Sequence, residues 1–218
     1  MGWVWNSFNS SIGKKLVMAV TGICLMLFLI IHLAGNLSLY GGPKAFNGYV
    51  GLLEMIRPLI RVIEVILALV IFFHILNGVR LWIENKIARP QAYTINGSRK
   101  NTDVFSRTSF ITGSVIFIFL ILHLQTIWYK FNFTGTELDL YTITTKWFAH
   151  LWYSVLYLIA IVLLGFHLNH GFQSAFQTFG WNSKKYFPLI EIVGTLYAII
   201  MTLGFASIPI YFYFFGGK

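Results

Sequence analysis

Two segments with the same pattern decide the fold of this chain: TGICLMLFLIIH at Thr21–His32 and TGSVIFIFLILH at Thr112–His123. Each begins with Thr-Gly, continues with nine apolar or small residues and ends with a histidine. Both segments lie in longer apolar stretches, and about 20 apolar residues are enough for a helix to cross a bilayer core of about 30 Å. The pattern therefore predicts two membrane-spanning helices, each with an ionisable side chain at the same position.

A second motif follows each of these segments. It reads FHILNG at Phe73–Gly78 and FHLNHG at Phe166–Gly171, so both copies have the form F-H-x-x-x-G. The chain is therefore predicted to contain two parallel two-helix repeats, related by an axis along the membrane normal, followed by a fifth helix. His170 aligns with Asn77 and so has no counterpart in the first copy.

The composition is that of an integral membrane protein. Of the 218 residues, 57% are apolar and 11% are charged, whereas soluble domains average about a quarter charged. We predict an all-α five-helix bundle, a single transmembrane domain over residues 1–218. Its spans are at about 16–40, 58–83, 108–130, 148–173 and 187–215, and Pro58 and Pro188 stand where helices can begin.

The basic residues predict an orientation. Ten of the 16 Lys and Arg residues fall on the side that holds the N-terminus, which is therefore expected in the cytoplasm with the C-terminus outside. The net charge of +9 then indicates contact with anionic lipid and not with nucleic acid.

The repeat predicts two histidine pairs at different depths. Counting about 1.5 Å per residue from the flanking polar residues puts His32 and His123 roughly 25 Å from the inner surface, and His74 and His167 roughly 9 Å. We call these the outer pair and the inner pair. Gly22 and Gly113 fall at the level of the inner pair, and Gly78 and Gly171 one turn below it, which predicts room there for a flat group.

The histidine pairs have three possible roles: packing, zinc binding and haem binding. A single histidine in a membrane helix can be a packing residue, but four in two symmetric pairs favour function. Zinc usually takes three or four protein ligands, and only two histidines are expected at each level. Haem supplies four nitrogens itself, so one histidine on each face suffices. His170, one turn from His167, is predicted to lie near the inner haem and to contact either a propionate or the membrane interface.

The segments NSSIGKKLVMAVTG, HLAGNL, FHILNGVR and FHLNHGFQSAFQTFG resemble the two-haem cytochrome b subunit of succinate dehydrogenase/fumarate reductase, in its cytochrome b558 branch. The resemblance extends over nearly the whole chain. It implies that His32 and His123 bind the iron of an outer haem b, and His74 and His167 that of an inner haem b.

The resemblance also implies partners and a location. These are a flavoprotein subunit with FAD, an iron–sulfur subunit on the cytoplasmic face, membrane lipid and a quinone, which in this branch is menaquinone. The chain would be a multi-pass protein of the bacterial inner membrane that passes electrons between the iron–sulfur clusters and quinone, without dicarboxylate chemistry of its own. The basic loops at 84–107 and 174–186 are candidates to receive the iron–sulfur subunit, and the alternative is that they are ordinary basic loops of the cytoplasmic side.

Quinone chemistry needs a proton donor or acceptor beside an apolar slot. Glu54 and Glu64, at the outer end of the first repeat, are the candidates, and Arg61 could instead neutralise Glu64. The repeat and the histidine pairs alone would also fit a di-haem subunit of a quinone-linked hydrogenase or formate dehydrogenase. A transporter with parallel repeats is a third possibility, but it would need broken helices and polar midplane residues, which the first four spans lack.

Overall fold

The protein is described from a computed structural model, which covers residues 2, 9–88 and 104–216. The predicted five spans are confirmed as long apolar helices. They are α1 (Ser11–Leu37), α3 (Arg57–Ile87), α4 (Val104–Phe133), α6 (Leu151–Thr178) and α7 (Phe187–Phe215). Most of the predicted cytoplasmic loop at 84–107 lies outside the described residues.

Local sequence signals account for where these helices begin. Ser10 caps α1 by accepting a hydrogen bond from the backbone N–H of Gly13 at 3.0 Å. Pro58 and Pro188 stand in the first turns of α3 and α7, where proline is favoured because the N–H it lacks would have no partner within the helix.

Two short helices lie outside the five predicted spans. The segment after α1 forms helix α2 (Gly42–Met55), and the segment before α6 contains helix α5 (Leu140–Phe148). The Gly-Gly-Pro sequence does make a turn, with Gly42 at a φ of 77°, but Pro43 then begins a helix. The two helices meet at the outer end of the bundle, where the rings of Phe46 and Tyr141 lie 6.3 Å apart.

Four of the spans form a ring that contains the histidines. Each helix of the ring contacts two neighbours: α1 packs on α3 and on α6, and α4 packs on α6 and on α3. Of these four contacts, the one between α3 and α4 is much the smallest. The fifth span, α7, lies outside this ring against α6 and α1. No residue of α3 is buried, as expected for a helix that faces lipid.

The two halves of the ring meet at the ends of α3 and α4. At one end Trp82 stacks on Phe110 with ring centres 4.1 Å apart. At the other end the indole N–H of Trp128 donates to Glu64 Oε1 at 3.0 Å. Trp128 belongs to a π-helical segment, Leu124–Tyr129, which interrupts α4 directly after His123; such segments are frequent at functional sites.

Candidate functional site

The four histidines come together in the two pairs that the repeat predicts. The ring centres of His32 and His123 are 5.9 Å apart, and those of His74 and His167 are 6.2 Å apart. In the outer pair the ring planes make an angle of 88°, and in the inner pair 76°. Because the outer pair joins α1 to α4 and the inner pair joins α3 to α6, each pair spans one diagonal of the four-helix ring.

Each histidine of the inner pair has a threonine hydroxyl beside Nδ1. Thr21 Oγ1 lies 3.1 Å from His74 Nδ1, and Thr112 Oγ1 lies 3.4 Å from His167 Nδ1. Both threonines donate their own hydrogen to a carbonyl of the preceding turn, Thr21 to Val17 at 2.7 Å and Thr112 to Ser109 at 3.0 Å. Their oxygens are therefore placed to accept a hydrogen from Nδ1.

This arrangement selects one form of the imidazole. A neutral histidine carries its hydrogen on one ring nitrogen and a lone pair on the other. If Nδ1–H donates to threonine, Nε2 of His74 and of His167 keeps the lone pair that a metal ion needs. Metal-bound histidines almost always donate their second ring N–H in this way, so the Thr-Gly motif contributes a hydroxyl to the inner pair as well as space.

The outer pair has different surroundings. His123 Nδ1 lies 2.9 Å from the hydroxyl of Tyr157 on α6. The Tyr157 hydroxyl is 2.8 Å from that of Tyr153, which is 2.7 Å from Thr126 Oγ1. We call Tyr157, Tyr153 and Thr126 the hydroxyl chain. All three residues are buried, and Tyr153 is 0% exposed.

His32 lies among aromatic rings. Phe28, one turn earlier on α1, stacks against it with ring centres 5.2 Å apart, and Phe205 of α7 lies 5.8 Å away. The backbone carbonyl of His32 accepts a hydrogen bond from Asn36 at 2.7 Å. These contacts hold the ring in an apolar setting that faces His123.

The distances within the pairs match those of two imidazoles on one metal ion. A metal–imidazole bond is about 2 Å long and each nitrogen is about 1.1 Å from its ring centre, so ring centres on opposite sides of one ion lie about 6 Å apart. Within the described residues, no three His, Cys, Asp or Glu side chains converge as a metal site would require. The donor set at each level is two imidazoles, which suits a macrocycle that brings its own four nitrogens.

Two of the four predicted glycines lie against the inner pair. A Cβ added at Gly22 would lie 3.6 Å from His74 Cε1, and one added at Gly113 would lie 3.2 Å from His167 Cε1. The other two lie against methionines instead. A Cβ at Gly78 would be 3.7 Å from the Met18 methyl group, and one at Gly171 would be 3.2 Å from that of Met26.

The candidate glutamates lie at the outer end of the first repeat, each beside an arginine. Glu54 accepts from Arg57 at 2.8 Å in an exposed pair. Glu64 accepts from Arg61 at 2.6 Å and also from the Trp128 indole. Arg61 in turn donates to Asn132 of α4 at 2.7 Å, so Glu64 belongs to a network between α3 and α4, whereas Glu54 does not.

A charged cluster ties α1 to α3 at the opposite end. Lys14, which is 6% exposed, pairs with Glu84, and Glu84 also accepts from Arg80 at 3.0 Å. Arg80 donates to Asn9 at 2.8 Å. Lys14 and Arg80, which were counted in the orientation prediction, therefore also stabilise the contact between α1 and α3.

Residues 15–95 match a family model described as the succinate dehydrogenase/fumarate reductase transmembrane subunit. This part of the chain is similar to that family. No curated protein and no solved structure gave a match. The matched region contains α1, α2 and α3, and therefore one histidine of each pair, His32 and His74; the internal repeat relates these to the other two.

The five long apolar helices are those of a multi-pass membrane protein, and the matching family is described as a transmembrane subunit. Over residues 15–95 the match agrees with the resemblance stated from the sequence.

Three features of the site were not predicted from the sequence. The threonine of the Thr-Gly motif was noted only as part of a repeat, yet its position 11 residues before each outer-pair histidine recurs and could have indicated a role. The hydroxyl chain and the π-helical segment had no such signal, because they occur in one repeat only. His170, half-buried one turn after His167, remains a predicted haem neighbour.

Proposed function

We propose that this chain is the transmembrane subunit of a succinate dehydrogenase/fumarate reductase, and that it is a di-haem cytochrome b of the b558 type. His32 and His123 would hold the outer haem, and His74 and His167 the inner one. The observation that carries the proposal is the pair of diagonal imidazole couples, with ring centres 5.9 and 6.2 Å apart. The threonine oxygens beside Nδ1 of His74 and His167 support it, since they favour a free lone pair on Nε2.

A b haem with two histidine ligands supplies a one-electron carrier without an open coordination position. The chain's own residues would determine where that carrier sits and what reaches it. Thr21 and Thr112 would orient the inner pair, and Phe28 and Phe205 would keep water from His32. Two carriers at different depths are what electron exchange requires between a cytoplasmic iron–sulfur subunit and a quinone near the outer surface.

The same proposal includes the membrane arrangement that the sequence predicts. The N-terminus would be cytoplasmic in a bacterial inner membrane, with the flavoprotein and iron–sulfur subunits docked on that face. FAD, the iron–sulfur clusters and the dicarboxylate site would belong to those partners. The quinone would be menaquinone.

A haem count in single and paired histidine variants tests the proposal. The purified wild-type complex should show two b haems per chain in a reduced-minus-oxidised spectrum. His32→Ala and His123→Ala should each lose one haem, and the double variant should lose no more than either single one, because both ligands serve the same iron. His74→Ala and His167→Ala should behave in the same way for the other haem.

Other outcomes would contradict the proposal. Loss of both haems in the His32→Ala/His123→Ala variant of an otherwise intact complex would show that the pairs are not independent sites. A wild-type chain without haem would revive the transporter interpretation. Purification with a nickel or molybdenum subunit, and without flavin, would favour a hydrogenase or formate dehydrogenase.

For the quinone site we propose Glu64 over Glu54 as the proton-exchanging group. Glu64 precedes His74 by ten residues, so it lies about 15 Å along the helix axis from it, near the level of the outer pair. Its contacts with Arg61 and Trp128 bridge the side of the ring where α3 and α4 pack least, which is the side most open to a ligand from the lipid.

The two glutamates provide a matched test, since each pairs with an arginine three residues away. Glu64→Gln should lower quinone-linked turnover by about 10²–10⁴-fold, the usual contribution of a general acid or base. It should leave both haems bound and leave succinate oxidation with a soluble dye unchanged. Glu54→Gln should keep turnover near wild type. Equal, wild-type turnover in both variants would exclude Glu64.

A further inference from the structure

We propose that the fifth span, α7, serves the outer haem, and that Phe205 on this helix and Phe28 on α1 are positioning residues that fix the ring plane of His32. This inference rests on the proposed di-haem function. Helix α7 belongs to neither repeat and carries no histidine. Its contact with His32 gives it a role that the repeat does not predict.

His32 differs from the other three histidines in its hydrogen bonding. His74, His123 and His167 each have a hydroxyl oxygen within 3.4 Å of Nδ1. Over the part of the chain that the structure describes, the only side chain that hydrogen-bonds to His32 is that of Asn36, and it binds the backbone carbonyl and not the ring. An imidazole without such a partner has a broad choice of angles about its Cβ–Cγ bond, so packing must hold it.

Two aromatic rings from different helices pack against His32. Phe28, one turn earlier on α1, lies nearly parallel to it, with ring centres 5.2 Å apart and 21° between the planes. Phe205 of α7 lies 5.8 Å away at 40°. Aromatic rings attract each other at these separations in preferred orientations, so a turn of the imidazole would weaken both contacts. Packing thus holds the ring plane of His32 in place of the hydroxyl contact that the other three rings have.

Close contacts between α7 and α1 set the position of Phe205. A Cβ added at Gly204 would lie 2.7 Å from Cδ2 of Leu33, the residue that follows His32. The glycine therefore lets α7 approach α1 at the level of the outer pair. About two turns earlier on α7, the hydroxyl of Tyr197 donates to the carbonyl of Met26 at 2.9 Å. These contacts fix α7 on α1 and bring Phe205 against the histidine.

The phenylalanine of α1 recurs in the second half of the chain. Phe119 also stands four residues before its outer-pair histidine, and its ring lies 5.9 Å from that of His123 with 30° between the planes. The inner ligands have Val70 and Leu163 at the same position. A phenylalanine one turn before the ligand is therefore a property of the outer pair, as the threonine contact is of the inner pair.

The second ring on each outer histidine comes from a neighbouring helix. For His123 it is Tyr157 of α6, with ring centres 6.1 Å apart. For His32 it is Phe205 of α7. The fifth helix thus gives His32 the contact that α6 gives His123, and the angle of 88° between the planes of the outer pair depends on it.

Electron paramagnetic resonance of the oxidised, assembled complex tests this inference, because the anisotropy of a low-spin ferric signal rises as the two imidazole planes approach a right angle. Phe205→Leu keeps the site apolar but removes the ring. It should replace the highly anisotropic signal of the outer haem, the one lost in His32→Ala, by a rhombic signal of smaller anisotropy. Both haems should stay bound, and the inner-haem signal should be unchanged. Phe28→Leu should have the same effect.

Phe117→Leu is the matched control. Phe117 lies on α4 two residues before Phe119 and is 43% exposed, so both signals should stay at their wild-type positions. If Phe205→Leu loses the outer haem entirely, Phe28→Leu decides. An unchanged outer signal in a variant that keeps this haem, or an equal change of both signals, overturns the inference. So does a wild type whose outer haem already gives the rhombic signal. A wild type without two haems would instead refute the proposed function.

Discussion

Replacing Gly22 by alanine separates the stability of the bare bundle from its capacity for a flat ligand. An added Cβ would lie 3.6 Å from His74 Cε1, which is an ordinary van der Waals separation. Alanine within a helix is favoured over glycine by about 0.5–1 kcal/mol. The haem-free chain should therefore be as stable as the wild type or slightly more stable.

The effect on haem should have the opposite sign. If a macrocycle lies between His74 and His167, the methyl group of Gly22→Ala occupies space beside its edge, and overpacking of this kind costs about 1–3 kcal/mol. That cost corresponds to a loss of inner-haem affinity of about 5- to 150-fold at 1.4 kcal/mol per factor of ten. Gly113→Ala should lose haem too, but there the haem-free chain should also be destabilised, because its Cβ would be only 3.2 Å from His167 Cε1.

The assay measures the haem-to-protein ratio of the purified complex beside thermal unfolding of the haem-free chain. Gly51→Ala is the control for helix propensity alone, since nothing lies within 4 Å of the position its Cβ would take. Inner-haem content at the wild-type level in Gly22→Ala, with the gain in stability present, would refute the reasoning that these glycines make room for the cofactor.

Three further predictions follow from the described contacts. The backbone N–H of Thr142 donates to Asp139 at 2.7 Å and holds the pKa of this carboxyl below its usual value of 3.8. Asp139→Ala should therefore destabilise α5 by about 1 kcal/mol at pH 7. In the wild type this stabilisation should be present above about pH 4 and be lost as the pH falls through the lowered pKa of Asp139. Thermal unfolding measured over a series of acidic pH values checks both expectations. Thr21→Val should raise the potential of the inner haem alone in a redox titration, because it removes the acceptor beside His74. The near-perpendicular rings of both pairs should give highly anisotropic low-spin ferric signals in electron paramagnetic resonance, and an axial high-spin spectrum would contradict ligation by both histidines.

The parts of the fold that the sequence predicts are those where one physical requirement dominates. The length of each apolar segment decides the spans. Pro58 and Pro188 mark helix starts because few helical positions outside the first turn tolerate proline. The pairing of His32 with His123 followed from equal positions in two repeats, without knowledge of any contact. Helices α2 and α5 were missed because the Gly and Pro residues that begin α2, and the Asp139 that caps α5, are typical both of turns and of helix starts.

The site was predictable to the same extent. Its repeated elements, namely the histidines and the Thr-Gly motif, could be read by aligning the two halves. The contact between Tyr157 and His123 could not, since it depends on which faces of α4 and α6 meet. The hydrogen bond from Trp128 to Glu64 also depends on the π-helical segment Leu124–Tyr129. This segment changes the register of α4 locally, and a hydropathy pattern does not reveal such a change.

The positions at which the two halves differ bear on the proposed quinone chemistry at the outer level. The inner pair has the same threonine contact in both halves, as two ligands of one symmetric carrier would. At the outer level a single aligned position holds a carboxylate in one half, Glu64, and a phenol in the other, Tyr157. The phenol contacts a histidine, and the carboxylate contacts Arg61 and Trp128 instead. A site that only relays electrons has no use for this difference. A site that must also exchange protons with a quinone on one side does, since the side with the carboxylate can then serve the quinone while the phenol holds the opposite ligand.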